Sequence, residues 1–375
     1  MTASTAIVTT TVNTPHFLAG YLEQFAERSH GEVSFVVVGD KRSPPDTREW
    51  LSKQEWGDAA WTYLDVQDQE RWHERFPALD RLLPWNTIQR RNLGYVCAAE
   101  QGAQTIITID DDNFVTGDDF LAGHGIVGQR LTVDCVGSDD GWANVCAVLE
   151  TDGGPVVHRG FPLSRRHSRA RWQTVSRTGR IAVNAGFWLG EPDVDAVSRI
   201  ANPTQVLGVA PGTTTPLGLA KGTWCPFNSQ NTAFAVDLLP AAYLVVMGAE
   251  YRGMRIDRYD DIWMSYFVRA IADHLDDLVV YGRPLVHQER NAHDLLGNLR
   301  GELPGMILTD SLVEVLRDVR FGSTTYAECY RELIDALGVA FTRTGTADVD
   351  RRFWCDVLNS MALWADLCAQ VLPAT

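Results

Sequence analysis

Lysine is nearly missing from this chain: Lys41, Lys53 and Lys221 are its only three, and every other basic residue is arginine. That bias, beside abundant Ala, Asp, Gly and Val, is the signature of a GC-rich bacterial genome. Positive charge is scarce altogether, 33 basic against 48 acidic side chains, for a net −15. A chain this acidic lacks the basic stripe that would bind nucleic acid or an anionic membrane. No apolar run approaches the ~18–20 residues needed to span a bilayer. The opening MTASTAIVTTTV has neither the charged n-region nor the cleavage site of a signal peptide, so a cytoplasmic protein is expected. The seven cysteines are scattered, with no CxxC and no Cys/His cluster at metal spacing. That excludes a zinc site or a disulfide framework and predicts buried apolar filler. No GxGxxG follows the first strand, and no GxxxxGK[ST] occurs anywhere. Without them there is no visible seat for NAD or a flavin, and no P-loop.

What is present is ordinary globular composition, 45% hydrophobic and 22% charged over 375 residues, enough for a substantial core. The β-branched run Ala6–Val12 reads as a buried strand. Thr14 and Pro15 look like an N-cap and first helical position, with Phe17, Leu18, Tyr21, Leu22 and Phe25 at helical spacing to about Arg28. Ser34–Val38 is a second strand, Trp61–Val66 a weaker third, Asn86–Gln101 a helix and Gln104–Ile109 another strand. Alternation of this kind predicts an α/β fold, a mixed, mostly parallel sheet flanked by helices. Ligands of such sheets gather at the carboxyl ends of the strands, where Thr9, Thr11, Asp40 and Asp110–Asp112 fall.

Asp110-Asp111-Asp112 ends an apolar strand. Three adjacent carboxylates repel one another unless a cation or several donors offset them, and their oxygens suit hard ions such as Mg²⁺ and Mn²⁺. The alternative is a solvated acidic turn. This D-x-D resembles the metal motif of nucleotide-sugar glycosyltransferases of the GT-A fold, in which a late histidine often completes the site; His287 is the best-placed candidate. Further along, Arg159, Arg165 and Arg166 lie in a turn-rich segment that reads as a diphosphate clamp or as a basic surface loop. Asp260 and Asp261 open an amphipathic helix, as caps or as carboxylates facing a sugar. The polar loop Trp224–Asn231 reads as a reader of sugar hydroxyls or as a simple turn.

Taken in order, these segments resemble the reversibly glycosylated polypeptides, which include the plant UDP-arabinopyranose mutases and related bacterial nucleotide-sugar mutases. The resemblance runs from Ala6 to about Met306. It rests on Arg91-Asn92-Leu93-Gly94-Tyr95, Ile107–Val115, Arg159-Gly160-Phe161-Pro162-Leu163-Ser164, Gly186–Asp193, Arg258-Tyr259-Asp260-Asp261-Ile262-Trp263, Asp273-His274-Leu275 and Gly282-Arg283-Pro284-Leu285. It implies a GT-A-like fold and a metal-dependent, flavin-independent interconversion of pyranose and furanose rings on a UDP- or GDP-linked sugar. The family's glycosylated arginine falls on Arg159 and a second required arginine on Arg166. Asp260 and Asp261 complete the implied catalytic set; Asp110, Asp112 and His287 would hold Mn²⁺ or Mg²⁺. Thr9, Thr11, Asp40, Arg91, Asp111, Trp188 and Asn231 are expected to contact the nucleotide sugar.

Two departures, Phe161-Pro162-Leu163 for the family's Tyr-Pro-Phe and Ala185-Gly186-Phe187-Trp188 for His-Gly-Leu-Trp, bear on the sugar and the base. Arg159 would either capture the anomeric carbon or act through its charge, and the high guanidinium pKa favours the charge. The competing functions are a glycosyltransferase using the same donor and a non-catalytic nucleotide-sugar-binding protein. Residues 1–307 are expected to form the catalytic domain. Residues 308–375 carry helical apolar stripes, such as Trp354, Leu358, Met361 and Trp364, that pack on it or form a homo-oligomer interface.

Overall fold

The computed structural model describes residues 5–30, 33–168, 170–290, 294–343 and 347–372. Its strands are β1 (Thr5–Thr10), β2 (Val33–Val38), β3 (Ala60–Leu64), β4 (Thr105–Ile109), β5 (Asn113–Val115), β6 (Arg130–Ser138), β7 (Leu149–Thr151), β8 (Trp172–Gly190), β9 (Val206–Val209), β10 (Leu217–Leu219), β11 (Asn231–Ala235), the pair β12 (Glu250–Tyr251) and β13 (Met254–Arg255), and β14 (Leu278–Gln288). Side chains at consecutive positions of β1 and β2 are buried, as expected of strands covered on both faces.

One mixed sheet runs β3-β2-β1-β4-β11-β8-β6-β10-β14-β5. β3, β2, β1 and β4 are parallel neighbours. β11 enters antiparallel between β4 and β8. Besides β11, the 19-residue β8 pairs antiparallel with β6 along its first half and parallel with β14 along its second. The four-strand parallel end matches the alternation read from the sequence. The remainder is mixed because β8 and β11 return without a crossover helix.

Helix Arg91–Glu100 packs on β1 and β2. Gly94 permits the approach, since a Cβ there would lie 2.5 Å from Val8 Cγ1. Helices Leu295–Asp318, Tyr326–Phe341 and Asp348–Val371 form a further layer. Trp354 stacks on Trp263 (centroids 5.5 Å apart), and Trp364 stacks on Tyr243 and donates its indole N–H to the Leu239 carbonyl at 3.1 Å. These stripes are core on their inner side.

Several boundaries differ from expectation. β1 ends at Thr10. Its neighbouring helix begins at Leu18, because Thr14 and Pro15 are spent in a turn whose carbonyls take the His16 and Leu18 amides. Val66 belongs to a helix capped by Asp65, not to β3. The helix expected from Asn86 starts at Arg91, since Asn86 takes a left-handed conformation (φ 59°) and a 3-10 turn, Ile88–Arg90, intervenes. Helix Leu295–Asp318 runs through the boundary placed after residue 307, carrying Pro304 inside it. Cys355 is exposed, whereas the other six cysteines are buried as filler.

Candidate functional site

A cleft of about 370 Å³ opens beyond the end of β4, walled by Asn86–Gln89, Asp110, Arg159, Ser229, Met247, Gly248, Arg255 and Asp257–Asp261 without Tyr259. Asp110, the first residue after β4, accepts a 2.6 Å bond from Arg91 Nη2. Arg91 is fully buried, and its other head nitrogen donates to the Ser229 carbonyl at 2.9 Å. Burial opposes its charge, but the Asp110 carboxylate more than offsets this and its pKa is raised. Arg91 therefore positions Asp110 from beneath and does not line the cleft.

Asp111 turns away to accept from the Thr11 hydroxyl at 2.7 Å. Asp112 is the unusual member. Its Oδ1 is buried with no partner, and burial, with the charges of Asp110 and Asp111 added, pushes its pKa up to about 7 against the opposing Arg290.

Arg159 is the centre of the opposite wall. Its Nε donates to Asp193 at 2.9 and 3.0 Å, and its two head nitrogens fork onto Asp261 at 3.1 and 2.7 Å. Nη1 also donates to the Arg258 carbonyl. Burial alone would lower its pKa; Asp193 and then Asp261 outweigh that and hold it well above the usual value. Gly160 next to it has φ 80°, and a Cβ there would strike Ile262, so the turn that aims Arg159 needs glycine. Asp193 is kept ionised against its burial by Arg159 and Arg290, and also accepts from Asn228 at 2.8 Å. Asp260 and Asp261 occupy the first turn of helix Asp260–His274, yet neither caps it. Asp260 accepts from Gln89 Nε2 at 2.7 Å. Burial first, then the adjacent Asp261 charge, raises its pKa to about 7.

The fold thus brings Asp110, Arg159, Asp260 and Asp261 to one cleft. It does not bring the rest. Arg166 is ion-paired with the buried Asp195, so the two arginines form no clamp. Trp188 is buried, with its indole N–H on Gln230 at 3.0 Å, and Asn231 is buried against His124 and the Phe187 carbonyl. Asp40 is occupied by the backbone amides of Lys41 and Asn86, each at 2.7 Å, which pins the left-handed Asn86 at the cleft edge. Thr9 is buried with its hydroxyl unpartnered. Gln89 and Arg258 line the cleft and Asp193 and Arg290 stand behind Arg159 without having been singled out by spacing, while Ser229, from the expected polar loop, does line it.

His287 does not complete a metal set. Its side chain is 46% exposed beside Glu289. Among the described residues no three His, Cys, Asp or Glu side chains come together for a metal. Asp112, with its orphaned buried oxygen, and Asp110 do fit a hard cation as two oxygen donors.

A profile of the family described as "Reversibly glycosylated polypeptide" matches residues 80–372. UDP-arabinopyranose mutase 2 of Arabidopsis thaliana is 29% identical over 250 residues, covering 65% of this chain and 63% of that protein. Probable UDP-arabinopyranose mutase 1 of Zea mays is 27% identical over 293 residues, 76% of this chain and 72% of its own length. A crystal structure of S. aureus TarS 1–349 in complex with UDP-GlcNAc superposes with a TM-score of 0.35 and 12% identity, covering 99% of this chain and 84% of that one.

Proposed function

The chain belongs to the reversibly glycosylated polypeptide family, and from that premise we propose that it is an isomerase, a mutase interconverting the pyranose and furanose forms of a UDP-linked sugar. The observation that carries the reading is Arg159 locked between two carboxylates at a cleft wall, with the buried Asp260 carboxyl beside it, its pKa pushed up to about 7 by burial and Asp261. The names of the relatives support UDP as the nucleotide.

Ring contraction must break the bond from the anomeric carbon to the diphosphate. A second hydroxyl must then bond that carbon and lose its proton, and the old ring oxygen must leave it and gain one. The diphosphate finally returns, so protons balance. One carboxyl that is half-protonated near pH 7 can accept the first proton and return the second, and Asp260 is that group. Asp261, fixed by the fork from Arg159, supplies negative charge where positive charge develops on the sugar. Arg159, with both carboxylates raising its pKa, is a poor nucleophile, so its part is to fix them. Asp110 and Asp112 would hold a divalent cation, which supplies neutralising charge for the departing diphosphate.

The test is incubation with Mn²⁺ and UDP-arabinopyranose, with other UDP- and GDP-sugars in parallel, read by chromatography and NMR. A product of unchanged mass with furanose couplings is expected. Free UDP with no isomer would replace the mutase by a glycosyltransferase awaiting an acceptor; conversion of GDP-sugars alone would replace the nucleotide.

A further inference from the structure

The cleft is lined by four carboxylates, Asp110, Asp257, Asp260 and Asp261, and must nevertheless admit a diphosphate under the function proposed above, on which this inference rests. Its positive charge is almost wholly committed within the protein. Arg91 is bound to Asp110, Arg159 to Asp193 and Asp261, Arg258 to Glu302 at 2.9 Å, and Arg290 to Asp193. A guanidinium paired in this way has little field left for a ligand.

Arg255 is the exception. It lines the same cleft, its side chain is exposed, and among the described residues it has neither a carboxylate nor a hydrogen-bond partner. It is also placed. Arg255 ends the hairpin β12–β13, pairing with Glu250 across it. Below the hairpin, the Gly248 amide donates to the Ile256 carbonyl and the Ile256 amide to the Ala249 carbonyl. Gly248 has φ 97°, and a Cβ there would lie 2.9 Å from Arg255 Nη2, so the guanidinium rests against bare backbone at the cleft wall. The far end of the hairpin is anchored on helix Asp348–Val371 by Arg252 with Asp350 and by Tyr251 against Phe353, 5.4 Å between centroids.

We infer that Arg255 is the arginine that binds the diphosphate of the nucleotide sugar, presented to an otherwise neutralised or acidic cleft by this anchored hairpin. A free planar fork matches two phosphate oxygens at once. The clamp expected of Arg159 and Arg166 is therefore supplied from a different element.

Calorimetric titration of the whole chain with UDP in Mg²⁺ buffer tests this, using wild type, Arg255→Ala and Arg255→Lys, with melting temperatures from circular dichroism. We expect Arg255→Ala to weaken UDP about 10- to 100-fold and Arg255→Lys by less, because charge survives without the fork. Melting temperatures should be unchanged. UDP affinity equal in wild type and Arg255→Ala overturns the inference and leaves the mutase reading intact. A melting temperature lowered by the substitution also overturns it, since Arg255 would then be structural. Wild-type protein that binds no nucleoside diphosphate overturns both together.

Discussion

Asp260 keeps a proton to about pH 7, whereas the same side chain in an unfolded chain loses it near ~3.9. Between those values the folded protein binds protons that the unfolded chain releases, so raising the pH through that window favours unfolding. The urea midpoint should accordingly fall from pH 5 to pH 8, and Asp260→Asn should flatten the fall. The same variant should cut the turnover number about 100-fold or more, because an amide neither accepts nor releases a proton near pH 7. An unaltered pH slope in Asp260→Asn would move the titration elsewhere. His287 gives a second prediction at this scale. His287→Ala should leave Mn²⁺ affinity by calorimetry unchanged while Asp112→Asn weakens it, and a tenfold loss in His287→Ala would restore the histidine to the ligand set. That residue was misplaced for a reason. The alternation in Pro284-Leu285-Val286-His287-Gln288 is plain, but how β14 meets β5, and so how far His287 falls from the triplet, is a register that one strand does not contain.

At the scale of elements, Glu302 in helix Leu295–Asp318 is the hinge pin of the arginine wall. It is buried, ion-paired to Arg258, and accepts the Ala196 amide at 2.7 Å. Arg258 is left-handed (φ 61°), and in that conformation its carbonyl meets Arg159. A non-glycine residue held there needs outside support. Glu302→Gln should therefore lower the turnover number, and adding Arg258→Gly should recover a good part of it, because glycine adopts that backbone unaided. No recovery in the double variant would mean Glu302 acts otherwise. The places of Asp110, Arg159 and the Asp260-Asp261 pair at the cleft were legible because each sits in a short run whose residue types already state a chemistry. Asp193, Glu302 and Arg255 were not, because each acts on an element distant along the chain. Asp193 stands within the Gly186–Asp193 run, yet nothing in that run names Arg159 as its partner. Trp188 and Asn231 misled in the opposite sense: their polar atoms are consumed by Gln230, His124 and a backbone carbonyl inside the fold.

At the scale of the molecule, the parallel end of the sheet was readable from alternation, whereas the mixed end was not, since a strand as long as β8 can change partners midway without any change in its own pattern. The last helices back the site without lining it: Trp354 packs on Trp263 of the helix that carries Asp260 and Asp261. Trp364 fills the space over Tyr243 and Leu239, so Trp364→Ala should cost about 3–5 kcal/mol by urea denaturation. A cost below about 1 kcal/mol would mark that layer as separable. The order of the chain makes this layer late as well as necessary. Trp263, at the back of the helix that carries Asp260 and Asp261, leaves the ribosome well before Trp354, the residue that covers it. At ordinary rates of synthesis that is a delay on the order of 10 s. Through that interval the Trp263 ring waits without its stacking partner, and a chain truncated before helix Asp348–Val371 would carry Asp110, Arg159, Asp260 and Asp261 with nothing to cover the back of their helix.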